Sequence, residues 1–376
     1  MIKGSQVASA GTAFACKLFA QLAEHSHGKN LFISPASVAL ALAMVYNGAR
    51  GETRRAMAGA LALGDADADD INQANADLAH QLGQIDPHVE LAIANALWVS
   101  DAFQLSGEFV SAAEGAYQAA IRPLDFAHGP AAAVVNGWVA EHTRGKISKI
   151  VEQLDRDTLL LLVNAIYFKG SWTEPFSRQL THEAPFNCGD GRQIQHPLMA
   201  QRGRFRYYED RAFQAVSLPY GGGRVCMYVF LPRPESSLGA FSRSLTVKSW
   251  DAWMGRFAQA EGRLVLPRFR AEYAAKLNDA LKALGMGIAF EPRADFGAMA
   301  RDGTRLKIDE VRHKTFVEVN EEGTEAAAAT SVGMLRASFM PQKSFSMVVD
   351  RPFFCAIRDE RTGVILFMGS IVDPAS

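Results

Sequence analysis

The segment Thr324–Met334 constrains this chain more than any other. It reads Thr-Glu-Ala-Ala-Ala-Ala-Thr-Ser-Val-Gly-Met, with no proline or asparagine, one carboxylate and four consecutive alanines. It stands between a strong strand pattern, Leu306 to Asn320, and an apolar hairpin pattern, Phe353 to Ile371. A connection of about 20 residues within a compact domain is uncommon and usually functional. Taken alternately from Thr324, one register is Thr324, Ala326, Ala328, Thr330, Val332 and Met334, uncharged throughout and small at its first four places. The other register, Glu325 to Leu335, is mostly small and holds the one charge. Such a segment suits a strand with one face in a packed sheet and the other toward solvent or a covering layer. Composition alone suits a surface helix, because alanine is the best helix former. The alternation looks written for two states, exposed loop and inserted strand, whereas composition alone favours the Ala-rich surface helix.

The first 150 residues read as mainly helical. Val7, Phe14, Leu18 and Leu22 share one face of an opening helix, and Ser34-Pro35-Ala36-Ser37 supplies N-cap chemistry for a second that stops at Asn47-Gly48. An acidic surface loop is expected over Gly64 to Asp70, a helix from there through Gln81, and a buried strand from Leu91 to Val99. Strands dominate from Leu159 onward. Leu159 to Phe168 is nearly continuous in apolar residues, as in a strand covered on both faces. Val216 to Tyr220 and Val225 to Leu231 flank Gly221-Gly222-Gly223 as a hairpin, Gly262 to Phe269 reads as a further strand, and Leu277 to Leu284 as a short helix. Helices first and strands later, without βαβ alternation, give an α+β fold. Length alone, 376 residues, suggests two or three domains, yet no repeat, linker or charge block marks a boundary.

Composition excludes several classes of function. Lys plus Arg number 39 against 40 Asp plus Glu, so no overall cationic field draws the chain to nucleic acid or anionic lipid. No run of 18 apolar residues exists, and Met1 to Leu22 reads neither as a signal peptide nor as a membrane span. The lack of any Asn-x-Ser/Thr sequon weakly favours a prokaryotic or intracellular setting and leaves the compartment open. Cys16, Cys188, Cys226 and Cys355 show neither disulfide nor metal spacing and read as free buried thiols. Nine histidines are dispersed, and no GxSxG, HExxH, P-loop or GxGxxG occurs. No catalytic residue, metal or cofactor is expected, and the chain is not read as an enzyme.

Five strings, in order along the chain, carry a resemblance. They are Asn30–Ser37 (Asn-Leu-Phe-Ile-Ser-Pro-Ala-Ser), Asn164–Trp172 (Asn-Ala-Ile-Tyr-Phe-Lys-Gly-Ser-Trp), Val319–Thr330, Asp350–Phe354 and Phe367–Gly369. Together they resemble the landmarks of the serpin (serine protease inhibitor) family, and the resemblance covers essentially the whole chain. It implies one large domain over residues 1–376, with about nine helices and three β-sheets, and a hinge and reactive-centre loop over 321–345. It further implies an irreversible suicide-substrate inhibitor. A serine protease attacks a bait bond, and the loop then inserts into the main sheet with the acyl-enzyme still attached. The alternative within the family is a non-inhibitory binding, storage or chaperone role.

Site residues follow from the same resemblance. The hinge is Glu321, Gly323, Thr324, Glu325, Ala326, Ala327, Ala328, Ala329 and Thr330, with no departure from the inhibitory pattern. Ala337–Ser338 is the favoured reactive bond, suited to elastase-like proteases. Arg336–Ala337 is the alternative frame, suited to trypsin- or subtilisin-like ones, and a bond nearer Met340 is a third. Ser34, Ser37, Asn164 and His313 match the shutter, and Trp172, Arg268 and Glu321 the breach, where an exposed Glu321–Arg268 pair is expected. Without the resemblance, Ser34 reads as a helix cap and His313 as a strand histidine. Leu61 to Glu90 holds no Lys or Arg, which disfavours a glycosaminoglycan cofactor there. The expected partner is a target serine protease, with no nucleic acid and no membrane, and the expected state is a monomer able to form loop–sheet polymers.

Overall fold

A computed structural model of the chain describes residues 4–26, 28–64, 66–117, 119–301, 305–324 and 344–376. The opening helix α1 (Gly4–Glu24) buries Phe14 and Leu18 on the expected stripe. Helix α2 (Pro35–Tyr46) starts where Pro35 follows Ser34, whose hydroxyl accepts the Ser37 N–H at 3.3 Å. The acidic loop gives way earlier than its composition suggests. Asp67 caps α4 (Ala68–Gly83) by accepting the Asp69 N–H, and Asp69 and Asp70 lie in its first turn, where carboxylates complement the helix dipole. Helices α3 (Gly51–Ala60), α5 (Gly107–Tyr117) and α6 (Ala131–His142) complete the helical amino-terminal part. Three shorter helices follow: α7 (Leu238–Ser244), α8 (Val247–Met254) and α9 (Asn278–Leu281).

A six-stranded sheet runs in the order β10 (Phe269–Lys276), β11 (Glu310–Asn320), β12 (Gly323–Thr324), β4 (Leu160–Ser171), β2 (Val89–Ser100) and β3 (Ala120–Leu124). The larger sheet runs β1 (Leu31–Ile33), β15 (Ile365–Ile371), β14 (Phe353–Asp359), β8 (Val225–Pro232), β7 (Phe213–Tyr220), β6 (Gln193–Glu209), β9 (Ala258–Pro267) and β13 (Phe345–Val348), with β5 (His182–Asn187) on β6. The 17-residue β6 pairs in turn with β5, β9 and β7, and so joins two expected sheets into one ladder.

Two differences from the sequence reading have plain causes. The run Gly262 to Phe269 is two strands, not one. Pro267 ends β9, because proline cannot donate to a continuing ladder, and Arg268 carries the chain across to β10 in the other sheet. The helix expected over Leu277 to Leu284 is α-helical only to Leu281 and continues as a π-turn over Lys282–Met286.

The core lies in layers on both sides of β4. Ile166 and Phe168 meet Val216, Leu218 and Tyr220 of the larger sheet, while Leu161, Val163, Ala165 and Tyr167 lie under Val135 and Val139 of α6. That double cover accounts for the unbroken apolar run of β4. All four cysteines are buried and free.

Candidate functional site

The centre of the six-stranded sheet is a seam between β4 and β11. These strands pair in parallel from Leu161–Glu310 to Tyr167–Phe316. Above that they part, and the two residues of β12 fill the gap antiparallel to both. Gly323 stands opposite Asn320 and Ser171, and Thr324 opposite Val319 and Gly170. Gly323 has φ +142°, and a Cβ there would come within 2.0 Å of the Gly170 carbonyl oxygen, so only glycine fits this entry. Thr324 is fully buried, with its hydroxyl 2.8 Å from that of Tyr220. Tyr220 stacks on Trp172 at 4.2 Å between centroids, and the Trp172 indole N–H donates to the Asn320 carbonyl at 2.9 Å.

Above the gap, the main chain around Glu321 is tied down twice. The Trp172 N–H donates to the Glu322 carbonyl at 2.9 Å, and the Phe176 N–H to the Glu321 carbonyl at 2.8 Å. The Glu321 carboxylate accepts from Arg268 Nε at 2.9 Å and from the Thr181 hydroxyl at 2.5 Å. The pair is not the exposed one expected, because the Glu321 side chain is 4% exposed against 43% for Arg268. Burial alone would raise the Glu321 carboxyl, but the Arg268 and Thr181 hydrogen bonds outweigh it and hold it below its ordinary value. Arg178 pairs with the neighbouring Glu322.

Below the gap, the strands are joined by a buried polar cluster. The Asn164 amide donates to the Ser37 hydroxyl and to the Asn95 side-chain oxygen. His313 Nδ1 donates to Asn164 Oδ1 at 2.5 Å, and its Nε2 accepts the Ser34 N–H at 3.1 Å. Both ring nitrogens are thus committed to the neutral imidazole. Burial pushes the His313 pKa down from 6.5 to about 3. Alongside, the Thr315 hydroxyl donates to the Phe32 carbonyl at 2.5 Å.

The structure therefore brings Ser34, Ser37, Asn164 and His313 together at one level of the seam, and Trp172, Arg268, Glu321, Gly323 and Thr324 at another. Glu325, Ala326, Ala327, Ala328, Ala329, Thr330, Arg336, Ala337 and Ser338 lie outside the described residues. Sequence reasoning missed Asn95, Thr315, Tyr220, Thr181 and Arg178. Only Asn95 carried a signal, as the one polar side chain within Leu91 to Val99. Among the described residues, no group of three or more His, Cys, Asp or Glu could hold a metal ion, and no helix is long and apolar enough to cross a membrane.

Comparison with known proteins places this architecture. The family model described as "Serpin (serine protease inhibitor)" matches residues 9–374. The leukocyte elastase inhibitor of Sus scrofa is 37% identical, over 98% of this chain and the whole of the relative. The native-state crystal structure of the thermophilic serpin tengpin has a TM-score of 0.89 at 30% identity, covering 97% of this chain and 94% of that one. Human thyroxine-binding globulin has a TM-score of 0.92 at 25% identity, over the full length of both chains. The chain belongs to the serpin family.

Proposed function

We propose that this protein is an irreversible suicide-substrate inhibitor of serine proteases, not an enzyme, that works by extending β12 down the seam between β4 and β11. The observation that carries this reading is the register of β12. Continued from Thr324, it sets Ala326 beside Phe168 and Val317, Ala328 beside Ile166 and Thr315, and Thr330 beside Asn164 and His313. Every inward position down to that level is alanine or threonine, small enough to enter without overpacking. Advancing past Thr330 requires the Asn164–His313 contact to open. In this reading the buried cluster is the shutter, the Glu321–Arg268 level is the breach, and Glu321 to Thr330 is the hinge.

The chemistry is the protease's own. Its serine attacks the bait carbonyl, at Ala337 or, in the other frame, at Arg336, the bond to the next residue breaks, and an acyl-enzyme forms. Insertion then competes with water for that intermediate. About 20 new ladder hydrogen bonds, at ~0.5–1.5 kcal/mol net each, would contribute on the order of 10–30 kcal/mol, from which the β4–β11 pairing that must open is to be subtracted. That is comparable to or larger than the ~5–15 kcal/mol that holds an ordinary domain folded, so it suffices to distort the attached enzyme. A leukocyte elastase inhibitor among the relatives is consistent with Ala337–Ser338 as the bait. Likeness to thyroxine-binding globulin keeps a non-inhibitory carrier as the second reading.

The test is incubation with elastase, trypsin and subtilisin. A complex that survives denaturing electrophoresis is expected, with the mass of the released carboxy-terminal peptide fixing the bait bond. Cleaved chain with fully active protease in every case would refute inhibition and favour the second reading.

A further inference from the structure

We propose that the exposed face of β6 and β9, beside the strand on which the loop returns, is a docking surface for an acidic face of the target protease. The proposal rests on the inhibitory reading above. Arg202 of β6 and Arg263 of β9 are direct partners on the ladder. Both are exposed, and neither has an ion pair among the described residues. Like charges placed opposite one another weaken a sheet, so this row is kept at a cost to the fold. Two residues on, exposed Arg204 faces Glu261, and beyond it Arg206 is taken up by Glu360 at 3.0 Å. Uncompensated positive charge is thus concentrated in the Arg202–Arg263 row.

That row leads toward the bait. β13 pairs with β9 so that exposed Ser346 stands opposite Arg263. Ala337 lies seven residues before Ser344, a reach of at most ~25 Å of extended chain. A globular protease of ~220 residues has a radius of roughly 20 Å, so an enzyme holding the bait overhangs the row. A long sulfated polymer needs an unbroken basic strip, whereas Glu261 interrupts this one after a single row. A short, local charge suits one acidic cluster on a folded partner, and its effect falls on encounter rate.

Arg202→Glu and Arg263→Glu each place a carboxylate opposite an arginine, so both variants should fold, with a melting temperature at or above that of the parent. They would be tested against one protease with an acidic surface and one with a basic surface. Two readouts are needed: reversible binding to forms whose catalytic serine is replaced by alanine, and the rate of covalent complex formation with active forms. Both variants should bind and react about tenfold more weakly with the acidic protease at low salt, a deficit that shrinks below about twofold at high salt. With the basic protease they should be unimpaired. Equal behaviour of parent and variants toward the acidic protease would overturn the docking surface while leaving inhibition standing. A deficit seen only with added heparin would also overturn it, by assigning the row to a polyanion. Row-dependent binding to the inactive protease without any covalent complex would uphold the surface and sink the inhibitory reading instead.

Discussion

At the scale of single residues, entry to the seam rests on Gly323 and Thr324. Gly323 can lie against the Gly170 carbonyl only because it has no side chain, and Thr324 is fully buried with its hydroxyl on that of Tyr220. Thr324→Arg would force a guanidinium into a site with no exposed surface, where a charge is strongly disfavoured. The expected outcome is a chain still cut at the bait bond whose covalent yield falls by at least about tenfold, while Thr324→Ser keeps most of it. Densitometry of denaturing gels against residual protease activity checks this. Undiminished trapping by Thr324→Arg would contradict entry at this point.

Among elements, the decisive junction is the one where β4, β11 and the start of α2 meet through His313. The folded pKa lies below the unfolded value of 6.5, near 3, so the stabilisation from the neutral ring is complete above pH 6.5 and is lost as pH falls toward 3. Protonation would also set a second donor against the Ser34 N–H. Between pH 7.5 and pH 5 the junction should weaken by about 2 kcal/mol. Thermal unfolding midpoints should therefore fall on acidification, and His313→Gln, which does not titrate, should flatten that fall. The same acid sensitivity in both proteins would assign it to other groups.

Element by element, what the sequence made legible was what local chemistry decides. Ser34-Pro35 starts α2, Gly221-Gly222-Gly223 turns β7 into β8, and the apolar run of β4 reports its two covers. What stayed hidden depends on partners far along the chain. Nothing near residue 268 says that one apolar run serves two sheets, and nothing near Tyr220 says that it meets a threonine 104 residues away. The burial of Glu321 was hidden for the same reason, since its cover comes from Thr181, Phe176 and Arg268. Resemblance to the family's shutter found Ser34, Ser37, Asn164 and His313, but did not point to Asn95.

For the whole molecule, the inhibitory reading proposed above requires the loop to stay out of the seam between β4 and β11 until the bait is cut, which makes its far anchorage as important as its near end. That anchorage is β13, a four-residue edge strand paired, among the described residues, only with β9. Phe345 fastens it. Its ring stacks on Tyr207 at 3.9 Å and 6°, and lies over Gly262, where a Cβ would come within 2.3 Å of it. Phe345→Ala removes this clamp at a cost of about 2–4 kcal/mol. If the strand then peels away, the uncut loop can enter its own sheet. The variant should lose trapping capacity at 37 °C at least about tenfold faster than the parent, and the inactive fraction should melt higher. Decay at the parental rate would show that β13 is not what restrains the loop. We take residues 1–376 as one folding unit, so each form should melt in a single transition.

In the inhibitory reading, β4 and β11 would, once separated from one another below Tyr167 and Phe316, offer backbone donors and acceptors, and peptide groups are alike in every protein. Such an opening would have no means of telling kin from stranger: any extended stretch with small side chains on alternate places would satisfy it. Crowding would in that reading turn a private reserve into a shared one, and the opening that arms a solitary copy would let its neighbours link into chains.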